Sequence, residues 1–403
     1  MKKDILFLCQ FFYPEHNSSA TLPFDTAKFL ASQGLSVDAL VGYPKEYSSE
    51  KNLPLKETVE GVHIQRMRYL QLKRGSKLGR LINYFSFTAN ALLRLGKLRK
   101  YRSVIVYSNP PLLPLVAMLG NMLFGTKIVF VSYDVYPEVA YASGSLKPGG
   151  LIDRVMRWIN GGLFKRVSAV VALTEEMKQF LLEHRSGLTE DRVHVIANWA
   201  HEKKTEVTKE AFEAFGYEEE NFIVSYFGNL GICQDVETML DAAQLLKDDP
   251  KIRFLIVGHG TKFDYVSRQI QQRELTNVQL LSFLTGKRFE QAVAISDCCI
   301  VTLEKGLKGM CAPSKFYSYL QGGKPVLAVV EEGSYLQQIL SCHQVGASVS
   351  VGEGENLARL IRKLSDDSVS TRKMGRCAQA LYDEQYAMEI GMDHYRKLFR
   401  QLL

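Results

Sequence analysis

The chain has 403 residues, 46% hydrophobic and 23% charged; this mixture excludes a disordered or low-complexity chain, and the length exceeds one ordinary core and suits two domains. The net charge of +7 is local: no Asp or Glu lies between Glu60 and Asp134, whereas eleven Lys and Arg fall from Arg66 to Arg102. The seven cysteines (Cys9, Cys233, Cys298, Cys299, Cys311, Cys342 and Cys377) are odd in number and match neither a disulfide framework nor a zinc site, so small buried thiols in a reducing compartment are expected.

Apolar spacing predicts a strand at Ile5–Phe12, a helix at Ala20–Ser32 closed by Gly34, and strands at Val37–Gly42 and Val62–Arg68. The run from Ile5 is broken by Gln10, Pro14, Glu15 and His16 with no small-residue cleavage site, so a first strand is expected rather than a signal peptide. Helical spacing follows over Lys77–Lys100, then a strand at Val104–Tyr107, a helix at Leu112–Phe124 and a strand at Ile128–Tyr133. The most apolar stretch, Pro110 to Val131, is interrupted by Asn121, Gly125 and Lys127 and falls short of the ~20 clean residues that span a bilayer. Next come a helix at Ile152–Phe164, a strand at Ala169–Leu173, a helix at Glu175–Glu183 and a strand at Val193–Ala197.

Residues 200–220 are polar with little apolar rhythm and read as a linker. The pattern then restarts, with strands at Phe222–Phe227, Phe254–Val257, Val278–Phe283, Cys298–Thr302 and Val326–Val330. Helices alternate with them: Val236–Leu246, one ending at Glu274, Phe289–Ile295, Lys315–Leu320 and Tyr335–Leu340; Glu355–Leu403 reads as helical with a glycine break. The expectation is an α/β chain of two doubly wound, Rossmann-like domains facing a cleft, spanning 1–199 and 221–375, with C-terminal helices over 376–403. Ligands of such sheets sit outside the carboxyl ends of the strands.

Several segments at those ends can carry chemistry. Asp134 and Glu138, at the end of Ile128–Tyr133, could orient or deprotonate a hydroxyl, although Asp134 could equally cap the following turn. Glu15, His16, Asn17 and Ser18 form the loop after the first strand and lead into a helix. Gly228, Asn229 and Gly231 stand between a strand and a helix, where exposed N–H groups and the helix dipole favour an anion; an ordinary strand-to-helix turn needs the same glycines. Gly258 and Gly260 begin a second such junction, but Phe263 stands where a dinucleotide fingerprint needs its third glycine. Ser314 is a candidate N-cap, and Lys315 in the first helical turn opposes the dipole unless an anion sits above it. No Asp-x-Asp pair occurs, so no cofactor and no divalent metal are expected, and helix dipoles and cations would stabilise a leaving diphosphate instead.

These residues, in this order, resemble the bacterial glycosyltransferases of family 4, which have the GT-B fold and retain anomeric configuration. The resemblance runs through Tyr13-Pro14-Glu15, Ser108-Asn109-Pro110-Pro111, Asp134-Val135-Tyr136-Pro137-Glu138, Asn198-Trp199, Gly228-Asn229-Leu230-Gly231, Pro313-Ser314-Lys315 and Gly323-Lys324-Pro325-Val326. It is similar to the subgroup that builds capsule, O-antigen and exopolysaccharide. The resemblance implies an acceptor-side N-terminal domain and a C-terminal domain that binds a nucleotide-sugar. Asp134 and Glu138 would be catalytic, and the loop Glu15–Ser18 would lie on the acceptor side. Gly228, Asn229, Gly231, Gly258, Gly260, Phe283, Leu284, Met310, Cys311, Ser314 and Lys315 would bind the donor. The last helix, around Tyr395–Leu403, would cross back onto the first domain. The chain departs from the pattern at Ile232, Cys233 and Gln234, where many relatives carry Arg and Lys. It departs again at Met310 and Ser318, in place of paired glutamates, and at His16–Ser19, in place of glycines.

The expected activity is a metal-independent, retaining transfer from a UDP- or GDP-sugar to a polyprenyl-diphosphate-linked or polysaccharide acceptor. The Arg66–Arg102 basic region would hold the chain peripherally on the anionic cytoplasmic membrane face, its aromatic residues on the buried side. No nucleic-acid motif accompanies this charge. A nucleotide-sugar epimerase, a non-catalytic subunit of a transferase complex and a two-lobed solute binder are the alternatives.

Overall fold

Strands of five or more consecutive apolar residues can be buried on both faces, and that is how the chain uses them. The computed structural model describes residues 2–44, 52–72, 77–200 and 205–403. Contacts divide the chain into two units: Met1–Asn198 with Gly309–Ala312 and Glu389–Leu403, and Trp199–Lys308 with Pro313–Met388.

The first unit contains, in chain order, β1 (Lys3–Cys9), α1 (Ser18–Ser32), β2 (Val37–Gly42), β3 (Lys56–Val59), β4 (Val62–Met67), α2 (Lys77–Leu92), β5 (Tyr101–Tyr107), α3 (Pro114–Phe124), β6 (Lys127–Ser132), α4 (Glu138–Ala142), α5 (Leu151–Phe164), β7 (Ala169–Ala172), α6 (Glu175–His184) and β8 (Val193–Val195). The sheet runs β3-β4-β2-β1-β5-β6-β7-β8, parallel except for the antiparallel β3–β4 pair. Connections leave β1 toward β2 and later return beside it as β5, so the order reverses between β1 and β5. Phe7, on β1, sits opposite Ala39 of β2 and Ile105 of β5 and is fully buried.

Local chemistry explains the helix ends. Thr174 caps α6 by accepting from the Met177 N–H at 3.0 Å, and α3 stops at Gly125, whose φ of 68° needs a residue without Cβ strain. The predicted helix Lys77–Lys100 is instead α2 followed by a 3-10 turn, Leu95–Lys100. The tighter turn brings Leu98 into the core against Gly120, where any Cβ would lie 2.3 Å from the leucine. Along α2 the aromatic residues divide: Phe87 is buried, but Phe85 is 48% exposed, which corrects the expectation that they share the inner face. Strand β3 lacks an apolar run and is not predicted by one; it is an edge strand of alternating exposure.

The second unit contains α7 (Lys209–Glu213), β9 (Phe222–Asn229), α8 (Glu237–Leu245), β10 (Ile252–His259), α9 (Phe263–Gln272), β11 (Val278–Leu281), α10 (Gly286–Ile295), β12 (Cys298–Thr302), α11 (Lys315–Gln321), β13 (Val326–Val329), α12 (Tyr335–His343), β14 (Gly346–Val349), α13 (Gly354–Asp366) and α14 (Ser368–Leu381). Its parallel sheet runs β11-β10-β9-β12-β13-β14 and reverses between β9 and β12. The segment read as a linker carries α7, capped by Thr208 and anchored by buried Ala211, Phe212 and Phe215. Strand β14 escapes prediction because Gly346-Ala347-Ser348 is a poor strand sequence; the glycine is needed there, since a Cβ would meet the Val326 carbonyl at 1.8 Å.

The C-terminal helical stretch breaks at Asp367 and at the π-turn Tyr382–Tyr386, not at a glycine. Gly375 lies inside α14, where its bare Cα lets the Gly323 carbonyl approach; a Cβ would sit 2.3 Å from that oxygen. The last helix, α15 (Met388–Leu402), belongs to the first unit from Glu389 onward. There Tyr395 and Phe399 are buried, and Lys127 Nζ donates to the Leu402 carbonyl at 2.5 Å.

Candidate active site

In the first unit, polar side chains gather at the carboxyl ends of β1, β5 and β6, beside the point of strand reversal. Ser108, just beyond β5, is 3% exposed, and its Oγ accepts from the N–H groups of Tyr133 and Asp134 at 3.0 and 3.1 Å. Asp134 also forms an isolated antiparallel bridge with Cys311, and the Val135 N–H donates to the Met310 carbonyl at 2.8 Å. The backbone around Asp134 is therefore held from two sides. Its half-buried carboxyl is pushed up to about 6 by burial, against an ordinary value of 3.8. A carboxylate that titrates near neutrality can take or return a proton. Tyr107 and Tyr133 lie beside it with ring centroids 5.2 Å apart, and burial drives both hydroxyls well above their ordinary range.

Glu138 has a different setting. Arg185, 7% exposed, grips it with both guanidinium nitrogens at 2.8 and 2.5 Å, donates to the Tyr136 carbonyl at 3.1 Å and lies over the Phe164 ring. A carboxylate held by both nitrogens of one guanidinium fixes its loop in place. The pair gives Glu138 a positioning role, and Arg185 was not singled out from the sequence because it lies 47 residues away.

The loop after β1 turns into α1. Glu15 is 5% exposed; burial, and after it the Glu15 carboxylate, raises the Cys9 thiol well above the usual range. His16 is exposed, and Ser18 begins α1. Asn17 occupies the N-cap position without a side-chain cap bond, and both its amide atoms are buried without a hydrogen-bond partner. Gln10, 2% exposed, is in the same condition, as are Asn109 Oδ1 and Ser132 Oγ. Buried polar atoms left unpaired are rare enough to require an explanation, and a polyhydroxylated ligand or ordered water would supply one. The sequence signal for Gln10 was its position, a polar residue ending an apolar strand.

In the second unit the glycines have a packing reason. A Cβ on Gly258 would lie 2.2 Å from the Gly228 carbonyl, and one on Gly260 (φ 136°) 2.4 Å from Asn229 Oδ1. Strands β9 and β10 end side by side, with Gly228 paired to Gly258 and Asn229 to His259. The Gly231 N–H donates to Gln234 Oε1 at 3.1 Å, so the loop's own amide occupies it. The start of α8 is served as well: buried Asp235 accepts from the Glu237 and Thr238 N–H groups at 3.1 and 3.3 Å. The expectation that this helix end is open to an anion is corrected by that carboxylate, which already complements the dipole.

The cations nearby are Lys262 and Lys315. Lys262 Nζ donates to the Gln234 carbonyl at 2.6 Å and to Glu304 at 2.8 Å. Lys315 Nζ lies 4.2 Å from the centroid of Phe289, which packs edge-on against Phe227. Ser314 stands at the N-cap of α11 but makes no capping hydrogen bond, because its backbone is already helical. Phe283 is 41% exposed and meets the His259 ring edge-on at 5.1 Å, while Leu284 is half-buried; both follow the end of β11 at Leu281 rather than lying in it. Met310 and Cys311, expected at the donor, are members of the first unit; Met310 packs on its core, and the Gly309 N–H donates to Glu176 at 2.9 Å. Among the described residues no three His, Cys, Asp or Glu side chains converge as a metal-ligand set.

Comparison with known proteins matches both halves. The "Glycosyl transferase 4-like domain" profile covers residues 24–199, and "Glycosyl transferases group 1" covers 207–381. WbjE of Pseudomonas aeruginosa, named as a glycosyltransferase, is 27% identical over 82% of this chain and 81% of its own. WcaI of Escherichia coli K12, named as a colanic acid biosynthesis glycosyl transferase, is 22% identical over 66% of this chain and 67% of its own. Anabaena HepE, solved in complex with UDP-glucose, shares the fold with a TM-score of 0.71 at 17% identity, over 99% of this chain and 100% of its own. Two doubly wound units, each matched by one half of the family's signature, make this chain a member of the bacterial family 4 glycosyltransferases with the GT-B fold.

Proposed function

We propose that this glycosyltransferase moves a sugar, with retention and without a divalent metal, from a UDP- or GDP-sugar to a polyprenyl-diphosphate-linked or polysaccharide acceptor in surface-polysaccharide synthesis. The relatives' names support the polysaccharide setting, and the UDP-glucose held by HepE supports the donor class. The observation that carries the reading is Asp134: a carboxyl just past the end of β6, raised to about 6, at the same end of the sheet as the unpaired amides that follow β1 and β5, and suited to a sugar hydroxyl. Gln10, Asn17 and Asn109 would bond the hydroxyl-rich ligand, and Asp134 would orient or deprotonate the attacking group. In the second unit Lys315 would neutralise the departing diphosphate, with Lys262 released from Glu304 as a second cation. Gly258 and Gly260 serve this indirectly, by letting the end of β10 lie close against Gly228 and Asn229 of β9. The work would take place at the cytoplasmic face of the membrane, with the exposed cations of the Arg66–Arg102 region toward anionic lipid, Arg66 itself being buried and paired with Glu57.

The test is a thermal-shift screen of UDP-, GDP- and ADP-sugars followed by product analysis with and without acceptor. A ligand that binds only the native state raises the melting temperature. Stabilisation by a UDP- or GDP-sugar, weakened in Lys315→Ala, is expected. Conversion of donor alone would identify an epimerase and overturn the reading.

A further inference from the structure

Helices of a soluble unit turn apolar residues inward, and three neighbouring helices of the first unit depart from this. Among the described side chains of α2 the exposed positions are Leu81, Phe85 and Ala89, continued by Leu93 just past its end: an apolar ridge at intervals of four, with Leu93 83% exposed. Helix α3 packs between α2 and α5 and leaves Met122 and Leu123 exposed at its end. On α5, Leu151, Val155 and Trp158 form a second ridge, 79%, 39% and 62% exposed. Gly162 seats α5 closely on α3, since a Cβ there would meet the Met118 sulfur at 2.4 Å. Outward-facing Leu, Phe and Trp on adjacent helices form the kind of patch that marks an interaction surface.

The charge around these ridges selects the partner. Between Glu60 and Glu175 the sequence holds seventeen Lys and Arg and three acidic residues, Asp134, Glu138 and Asp153. All three face inward: Asp134 is half-buried, Glu138 is paired with Arg185, and Asp153 is 2% exposed, bonded to Arg157 and the Gly149 N–H. The outer surface of α2, α3 and α5 therefore carries no carboxylate, while Lys147, Arg154 and Lys165 are exposed along α5 and its flanks. A second copy related by a two-fold axis would bring this cationic face against itself. An anionic bilayer answers both properties at once, taking the ridges into the headgroup boundary and pairing phosphates with the cations.

We infer that α5 and the end of α3, together with the outer ridge of α2, form a membrane-docking face that inserts Trp158 and Leu151 into an anionic bilayer. This goes past purely electrostatic attachment through Arg66–Arg102 and rests on the reading that the acceptor is lipid-linked. The chain has two tryptophans, and only Trp158 is exposed, Trp199 being 6% exposed, so the protein carries its own reporter. Vesicles of phosphatidylcholine alone and with phosphatidylglycerol are titrated into the wild type and Trp158→Phe, and the emission difference is assigned to Trp158.

The acidic vesicles are expected to shift that emission to shorter wavelength and shield it from aqueous quencher. Replacing Lys147 and Arg154 by Ala should weaken binding about fivefold per cation. Trp158→Ser with Leu151→Ser should weaken it about tenfold or more and leave the residue of binding salt-labile. Binding without any change in Trp158, equal affinity for both vesicle types, or a dimer in solution dispersed by Leu151→Ser would overturn the proposal. UDP-sugar stabilisation is measured on the same samples: its survival alongside failed docking would leave the transferase reading intact and remove only the docking face.

Discussion

Asp134→Asn separates the role of a buried carboxyl from that of its fold. In the folded chain the group titrates near 6, because burial disfavours its charge, and in the unfolded chain near 3.8. The folded state therefore binds the proton more tightly, and the group's effect on stability is fully favourable only below about 4. It becomes progressively unfavourable as pH rises, and the penalty is complete above about 6. Between pH 4.5 and 8 the linkage amounts to about 2 kcal/mol for a shift of this size, reduced to about 1–2 kcal/mol for a side chain partly open to solvent. Asparagine cannot ionise, so urea midpoints of the variant and wild type, converted with a common slope, should diverge in the variant's favour by that amount on going from pH 4.5 to 8. Turnover should move the opposite way: it rises with pH through about 6 in the wild type, as a base becomes ionised, and is lost in the variant at every pH. If the stability gap is the same at both pH values, burial does not perturb Asp134. If the variant turns over normally, Asp134 is not the catalytic carboxylate.

Arg185→Met should lower stability by about 3 kcal/mol, since it leaves the half-buried Glu138 carboxylate without its cation; adding Glu138→Gln should restore much of the loss in a double-mutant cycle of denaturation midpoints. Gly258→Ala, forcing a Cβ to 2.2 Å from the Gly228 carbonyl, should cost about 1–3 kcal/mol and broaden or abolish UDP-sugar stabilisation. Gly161→Ala, an exposed position of α5 with open space around it, should instead gain roughly 0.5–1 kcal/mol in the same assay. Chelation should leave turnover unchanged; activity lost to EDTA and restored by magnesium or manganese would reject a metal-independent mechanism.

The alternation of strand and helix was legible because parallel strands must be apolar on both faces, and runs such as Ile128–Val131 and Ile300–Val301 announce it. The place of Asp134 was legible for the related reason that a carboxylate directly after such a run marks the strand's carboxyl end; the burial that raises its carboxyl was not. What escaped was tertiary. Glu138 reads as a second acid until Arg185 folds onto it from a different helix end. Gly228 reads equally as an anion-binding turn or an ordinary one and Gly258 as an incomplete fingerprint; that Gly258 must lack a Cβ to lie against the Gly228 carbonyl is visible only in the fold. Asp235 could not be known as the anion already seated at α8, nor Phe85 as facing outward, because four-residue spacing fits an inner or an outer stripe equally well. Met310 was aligned to the donor side by order along the chain, and that order says nothing of which core its side chain joins.

The first unit is assembled from three separate lengths of polypeptide, and the chain passes from one unit to the other four times. A gene fragment ending at Asn198 would lack the carbonyl that receives the Val135 N–H and the terminal helix that buries Tyr395 and Phe399. Shuffling the two halves between relatives at a single splice point would import a foreign version of both inserts. Exchanges meant to keep the Asp134 neighbourhood native need three matched pieces, with Gly309–Ala312 and Glu389–Leu403 travelling alongside the first.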